Sequence, residues 1–211
     1  MANTSYLAAL ARGAREVRHG ESGMVVDGRM VRLSDPCTDT SAFELGDATM
    51  LRGPVAAVDA LAARHGGWRR VFEGHEMVWR GGGTDDPRCV CAATVEHPLW
   101  RAEFIAEAFA VGGSPPEVPR DQMFVWCDQD PRAMAGVLHV SDDVTRIVVV
   151  YTPPAWRGRG YAGALVGALA NRAGTRWVSL DVSVDNPAGL RAYERVGFEC
   201  VGRQAIWLKL E

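Results

Sequence analysis

The stretch that most limits what this chain can become is residues 147–174. It opens on five apolar residues in a row, Ile147-Val148-Val149-Val150-Tyr151. A strand without polar alternation needs cover on both faces, so this run predicts a strand in mid-sheet. From residue 161 the period changes. Ala162, Leu165, Val166, Leu169, Ala170 and Ala173 recur at helical spacing, and Gly174 stops them. Between strand and helix stands Thr152-Pro153-Pro154-Ala155-Trp156-Arg157-Gly158-Arg159-Gly160. Prolines offer a neighbouring strand no amide, so regular pairing ends there. The glycines let successive backbone amides turn toward one point, the helix start adds partial positive charge, and the arginines add full charge and forked donors. Such a loop suits a pyrophosphate. The plainer alternative is a tight strand-to-helix turn with Arg157 and Arg159 solvated.

The remaining chain places this unit in a mixed α/β sheet. Residues 24–26 and 30–33 flank Asp27-Gly28, a two-residue hairpin signal. Pro54 opens a helix that Gly66-Gly67 closes, and residues 70–79 read as a strand. The run Gly81-Gly82-Gly83-Thr84-Asp85-Asp86-Pro87 is the clearest composition break. It divides an N-terminal α/β extension of unknown role, residues 1–85, from a second domain, residues 86–211. There, residues 89–95 read as a strand and 98–111 as a helix. A proline-broken loop follows, and strands at 123–128, 135–139 and 146–151 make a meander. Residues 177–182 predict a strand, 187–196 a helix, and 198–201 with 205–210 a closing antiparallel pair.

Bulk properties narrow the function classes. The 211 residues are 47% hydrophobic and 23% charged with a net charge of -3, so nothing draws the whole chain to nucleic acid, and no apolar run matches a membrane helix. The N-terminus carries no secretory pattern, which makes a cytoplasmic location the expectation. The cysteines number five, an odd count without secretory context, so reduced thiols are expected. Cys89-Val90-Cys91 near His97 lacks a second ligand pair, and no metal is expected.

Gly158-Arg159-Gly160-Tyr161-Ala162-Gly163 also spells G-x-G-x-x-G, with Asp181 about twenty residues on, as in NAD(P)-dependent oxidoreductases. A dinucleotide fold needs its first glycine at the strand end, and Pro153-Pro154 intervene. The same residues, Arg157-Gly158-Arg159-Gly160-Tyr161-Ala162, resemble the coenzyme A motif R/Q-x-x-G-x-G/A of the GNAT superfamily of N-acetyltransferases. Residues 186–198 are similar to that family's N-x-x-A-x-x-x-Y-x-x-x-G-F segment, with Gly189 where alanine is usual. The resemblance covers about residues 86–211.

That resemblance implies a GNAT-like fold with a central splayed strand pair and an acyl-CoA-dependent N-acyltransferase, acetyl-CoA being the co-substrate and a primary amine of a small molecule, peptide or protein the acceptor. Val150, Tyr151 and Thr152 then hold pantetheine, and the loop Arg157, Gly158, Arg159, Gly160, Tyr161 and Ala162 holds pyrophosphate. Asn186 lies near the pantetheine arm; it also reads as a helix N-cap ahead of Pro187. Tyr193 matches the general acid, against a plain reading as a core tyrosine. The base stays open. Arg146 stands where some relatives carry glutamate and cannot serve, which leaves Glu103, Glu107, Asp128, His139 or a water. A non-catalytic acyl-CoA-binding module is the alternative, and a homodimer is common among relatives.

Overall fold

The computed structural model describes residues 24–27, 30–33, 45, 48–95, 104, 106 and 118–210. Its strands are β1 (Met24–Asp27), β2 (Met30–Leu33), β3 (Met50–Pro54), β4 (Trp68–Trp79), β5 (Cys89–Cys91), β6 (Met123–Cys127), β7 (Pro131–Ser141), β8 (Val144–Tyr151), β9 (Trp177–Ser183) and β10 (Phe198–Lys209). The helices are α1 (Val55–His65), α2 (Tyr161–Arg172) and α3 (Pro187–Glu194). All ten strands share one mixed sheet in the order β1-β2-β3-β10-β4-β9-β8-β7-β6-β5. Pairs β2–β3 and β8–β9 are parallel, and the others are antiparallel.

β8 lies inside the sheet, as its unbroken apolar run requires, and β6, β7 and β8 form the expected meander. β1 and β2 pair with Asp27 opposite Met30, as the Asp-Gly signal predicts. Two expectations need correction. The closing antiparallel pair is instead one long strand, β10. Its ladder with β4 slips between Cys200 and Gly202, so the break expected after residue 201 is absorbed by a bulge. The strand expected at 89–95 stops at Cys91 and gives way to a 3-10 turn, Ala92–Thr94. The helix expected at 98–111 lies outside the described residues, apart from helical positions 104 and 106.

The sheet continues across the glycine run at 81–83: β4, from before it, is inserted between β10 and β9, from after it. Around the β10–β4 pair the order has a pseudo-symmetry. On one flank β2 runs parallel to β3, and α1 leads from β3 to β4; on the other β8 runs parallel to β9, and α3 leads from β9 to β10.

All three helices cover one face. α2 and α3 pack on Met77, Ile147, Val178, Leu180 and Val182, and α1 packs on Leu51 and Ala205. Ala205 pairs with Glu73, which stands an even number of residues from Met77, and side chains at even spacing share a face. Gly167 lets α2 and the end of α3 come close, whereas Gly163 makes only ordinary contact with α3. A Cβ at 167 would stand 3.3 Å from the Val196 Cβ, and one at 163 would stand 3.5 Å from the Ala192 carbonyl oxygen. The third glycine of the literal G-x-G-x-x-G, Gly163, thus has room for a Cβ and lines the cleft described below.

Candidate functional site

β8 and β9 pair over Val144↔Trp177, Thr145↔Val178 and Arg146↔Ser179 and then part. Beyond this fork β8 follows β7 to Tyr151, and β9 follows β4 to Ser183, so their facing edges carry no ladder. A bulge sharpens the opening. Val149 has φ 54, the one positive value on a non-glycine among the described residues, and against β7 the register slips where Gly136 opposes Val148 and Met134 opposes Tyr151. Val148 and Val149 consequently both pack on the face opposite α2 and α3, while Val150 turns toward those helices. Left-handed backbone at a β-branched residue costs about 1–2 kcal/mol, and here it re-aims the end of β8.

On the helix side of the fork lies a cleft of about 550 Å³. Val150, Tyr151, Thr152, Arg157, Gly158, Gly160, Tyr161, Ala162 and Asn186 all line it, so the structure brings together every predicted coenzyme residue except Arg159. Gly158 and Gly160 sit at φ 77 and 84, with no atom within 4 Å of where a Cβ would be. Conformation, not space, demands glycine there. Gly160 is the N-cap of α2, and the helix's first amides point into the loop. The Arg157 Nε donates to the Thr152 carbonyl oxygen at 2.9 Å, which folds the loop back on the end of β8. Arg159 lies over the Trp156 ring at 4.8 Å, with Arg132 over the same ring at 3.6 Å. The buried Thr152 hydroxyl finds no hydrogen-bond partner among the described residues. Among the described lining residues, Arg157, Arg191 and Arg195 are cationic and none is acidic. Glycine cradle, helix start and arginines fit an anionic, pyrophosphate-bearing thioester.

Tyr193 also lines the cleft. Its ring is buried against Phe198 at 6.4 Å, edge to face, and burial pushes its hydroxyl pKa up to about 12. The phenol is therefore protonated across the physiological range, as a proton donor must be. The Asn186 Oδ1 accepts from the Gly189 amide at 2.9 Å and caps α3. A Cβ at 189 would stand 2.6 Å from the Asn186 Nδ2, so the glycine that departs from the family segment makes room for this carboxamide.

Of the base candidates, the two described ones, Asp128 and His139, do not line this cleft. Glu103 and Glu107 lie outside the described residues, although Phe104 packs edge-on against Tyr151 at 5.9 Å. Asp128 is exposed in the turn after β6, where the Gln129 amide holds its carboxyl below the usual range. The His139 Nδ1 meets the Thr145 hydroxyl at 3.2 Å. Thr145 is five residues from Val150, roughly 16 Å along a strand, which is too far for a direct proton transfer. Arg146 is buried on the face opposite α1, α2 and α3. It pairs with Asp181 at 2.5 Å and Glu76 at 3.6 Å. Arg52 also pairs with Asp181, its Nε donates to Gln204 at 3.0 Å, and Gln204 donates to Glu76. These charges close on one another across β3, β10, β4, β9 and β8, and they clip the fork.

Sequence reasoning missed Trp156, Arg191, Arg195 and the Val149 bulge. The four-residue spacing of Arg191 and Arg195 around Tyr193 was a usable signal. A run of valines gives none for the bulge.

Comparison with known proteins agrees with this geometry. Residues 95–198 match the acetyltransferase (GNAT) family. The mycothiol acetyltransferase of Corynebacterium efficiens is 32% identical over 93 residues, 42% of this chain and 31% of that one. An uncharacterized protein of Mycobacterium leprae is 43% identical over 49 residues, 23% of this chain and 14% of that one. The matched stretch thus spans less than a third of either relative. Among solved structures, the GCN5-related N-acetyltransferase of Kribbella flavida superposes with a TM-score of 0.57 at 16% identity, covering 99% of this chain and 94% of that one. A GNAT-family protein of Novosphingobium aromaticivorans gives a TM-score of 0.50 at 22% identity and 69% of each chain. At these identities the structures speak for the fold.

Proposed function

Since residues 95–198 match the GNAT acetyltransferase family, we propose that the chain is an acyl-CoA-dependent N-acyltransferase that moves acetyl from acetyl-CoA to a primary amine by direct attack. The single observation that carries this reading is the fork at Arg146↔Ser179 opening onto a cleft lined by Arg157, the glycine loop and Tyr193. In this reading the loop from Arg157 to Ala162 and the first turn of α2 bind the pyrophosphate. The unladdered end of β8 holds the pantetheine arm as an added strand would, and its backbone amides near Val150 polarise the thioester carbonyl. The amine nitrogen bonds to the carbonyl carbon as the carbon–sulfur bond breaks. Tyr193 gives its proton to the departing thiolate, and the proton released by the amine goes to solvent or to a base that none of the described lining residues supplies.

The relative named for mycothiol makes small-molecule amines the first acceptors to screen. A cytoplasmic location and a homodimer belong to the same reading. The lack of a carboxylate among the described lining residues favours, as a second reading, a non-catalytic acyl-CoA-binding module.

Thiol release from acetyl-CoA with an amine panel, for wild type and Tyr193→Phe, separates the two. We expect turnover in the wild type and a loss on the order of 10²-fold or more in the variant, with acetyl-CoA affinity nearly unchanged. Tight acetyl-CoA binding without turnover on any amine would favour the binding module. NAD(P)H binding without coenzyme A binding would overturn both.

A further inference from the structure

The pyrophosphate loop accounts for one anion, but the cleft is built with more positive charge than that loop contains. Arg191 on α3 and Arg195 at its C-cap line the wall that faces the loop. They stand four residues apart, one helical turn, so both guanidiniums rise from neighbouring positions on one side. The other charged groups near the cleft are engaged. Arg157 is tied to the Thr152 carbonyl, Arg159 and Arg132 stack on Trp156, and the Arg146 cluster closes on its own carboxylates on the opposite face of the sheet. Arg191 and Arg195 have no carboxylate within ion-pair distance among the described residues, although Glu194 lies between them in sequence. Two adjacent cations without acidic partners, turned into a cleft without acidic lining, suit a dianionic phosphate monoester.

We propose that Arg191 and Arg195 form a second anion site that reads the 3′-phosphate on the ribose of the acyl carrier, and so selects 3′-phosphorylated coenzyme A over carriers that lack that group. The site rests on the coenzyme A reading of the cleft and adds to it. The loop binds what coenzyme A and dephospho-coenzyme A share, and α3 binds what distinguishes them. It also assigns the two helices different duties, α2 presenting backbone amides and α3 presenting side-chain charge. No bond is made or broken here, and the two arginines act on affinity alone.

The test compares acetyl-CoA with acetyl-dephospho-CoA by calorimetry on the full chain, for wild type, Arg191→Ala, Arg195→Ala and the double variant. We expect wild type to prefer acetyl-CoA by about tenfold, the worth of one charge-assisted contact near a surface. The double variant should lose that preference while its affinity for acetyl-dephospho-CoA stays within about twofold, and added salt should shrink the preference in wild type. A wild type that binds the two carriers equally would overturn the inference and leave the coenzyme A reading standing. Equal losses for both carriers in the double variant would also overturn it, because the arginines would then serve the shared pyrophosphate. Binding of neither carrier would defeat the underlying reading itself. A second measurement needs no variant: adenosine 3′,5′-bisphosphate should compete with acetyl-CoA better than adenosine 5′-monophosphate does, and equal competition would count against the site.

Discussion

On one flank of the β10–β4 pair, β2 runs parallel to β3 and α1 leads the chain back as β4; on the other, β8 runs parallel to β9 and α3 leads it back as β10. Each parallel ladder has three residue pairs. The connections within these pairs differ sharply. Residues 34–49, between β2 and β3, contain Asp35, Asp39, Glu44 and Asp47 and no lysine or arginine. Residues 152–176, between β8 and β9, contain Arg157, Arg159, Arg172 and Arg176 and no acid. The strand plan is common to both flanks, whereas an anion site needs the second connection. In the proposed reading, function resides in the loop's charge and glycines rather than in the sheet that carries it.

The two flanks are joined by the buried network on the face opposite α1, α2 and α3, and cutting it has the largest expected effect. Arg52 reaches from β3 to Asp181 on β9, where Arg146 also arrives. Removing the shared carboxylate leaves two buried guanidiniums facing each other. Breaking a buried pair from one side costs about 3–5 kcal/mol, so Asp181→Ala should lower the unfolding free energy by that much in a urea titration. A loss below about 1 kcal/mol would mean that the flanks are held together by the β10–β4 ladder alone.

A pair of glycine substitutions separates architecture from chemistry. Gly66 ends α1 at φ 61 and Gly160 begins α2 at φ 84, and neither has a neighbour that a Cβ would strike. Alanine at either position should therefore cost about 1–2 kcal/mol through backbone strain. Only Gly160→Ala should also weaken acetyl-CoA binding, because only that turn lines the cleft. Equal binding by both variants would show that the loop does not cradle the ligand.

Much of the active flank could be read from the sequence because its signals are local. An unalternated valine run, a proline stop, two glycines and a helical period lie within 28 residues, counted inclusively from 147 to 174, and each constrains its own neighbourhood. The insertion of β4 between β9 and β10 could not be read. It pairs residues more than 100 positions apart, as in Glu76 with Gly202, and no local pattern encodes that choice. The same holds for Arg146. Its inability to act as a base follows from its chemistry, but its partners Glu76 and Asp181 come from strands that only the fold brings beside it. The closing pair expected at 198–201 and 205–210 failed for the opposite reason, since the break between its two runs was overridden by the long ladder with β4.

The smallest effect concerns how each flank secures the end of its helix. α1 stops at Gly66 with one backbone bond to the Ala62 carbonyl. The end of α2 is clamped: Arg172 reaches Asp85 and the carbonyls of Asp86 and Cys89. The Asp86 carboxylate steadies that loop by accepting from Arg88 and, at 3.0 Å, from the Trp126 indole. The Arg88 bonds hold its pKa well below the ordinary 3.8, against the opposing push of burial. A depressed carboxylate stabilises the fold above its unfolded pKa and loses that contribution as pH falls through 3.8 toward the folded value. Asp86→Asn should therefore cost about 1 kcal/mol near neutrality, with the gap to wild type closing as both are acidified below about 3.8. A gap that stays constant with pH would mean that Asp86 acts through shape alone and that its charge contributes nothing to the clamp.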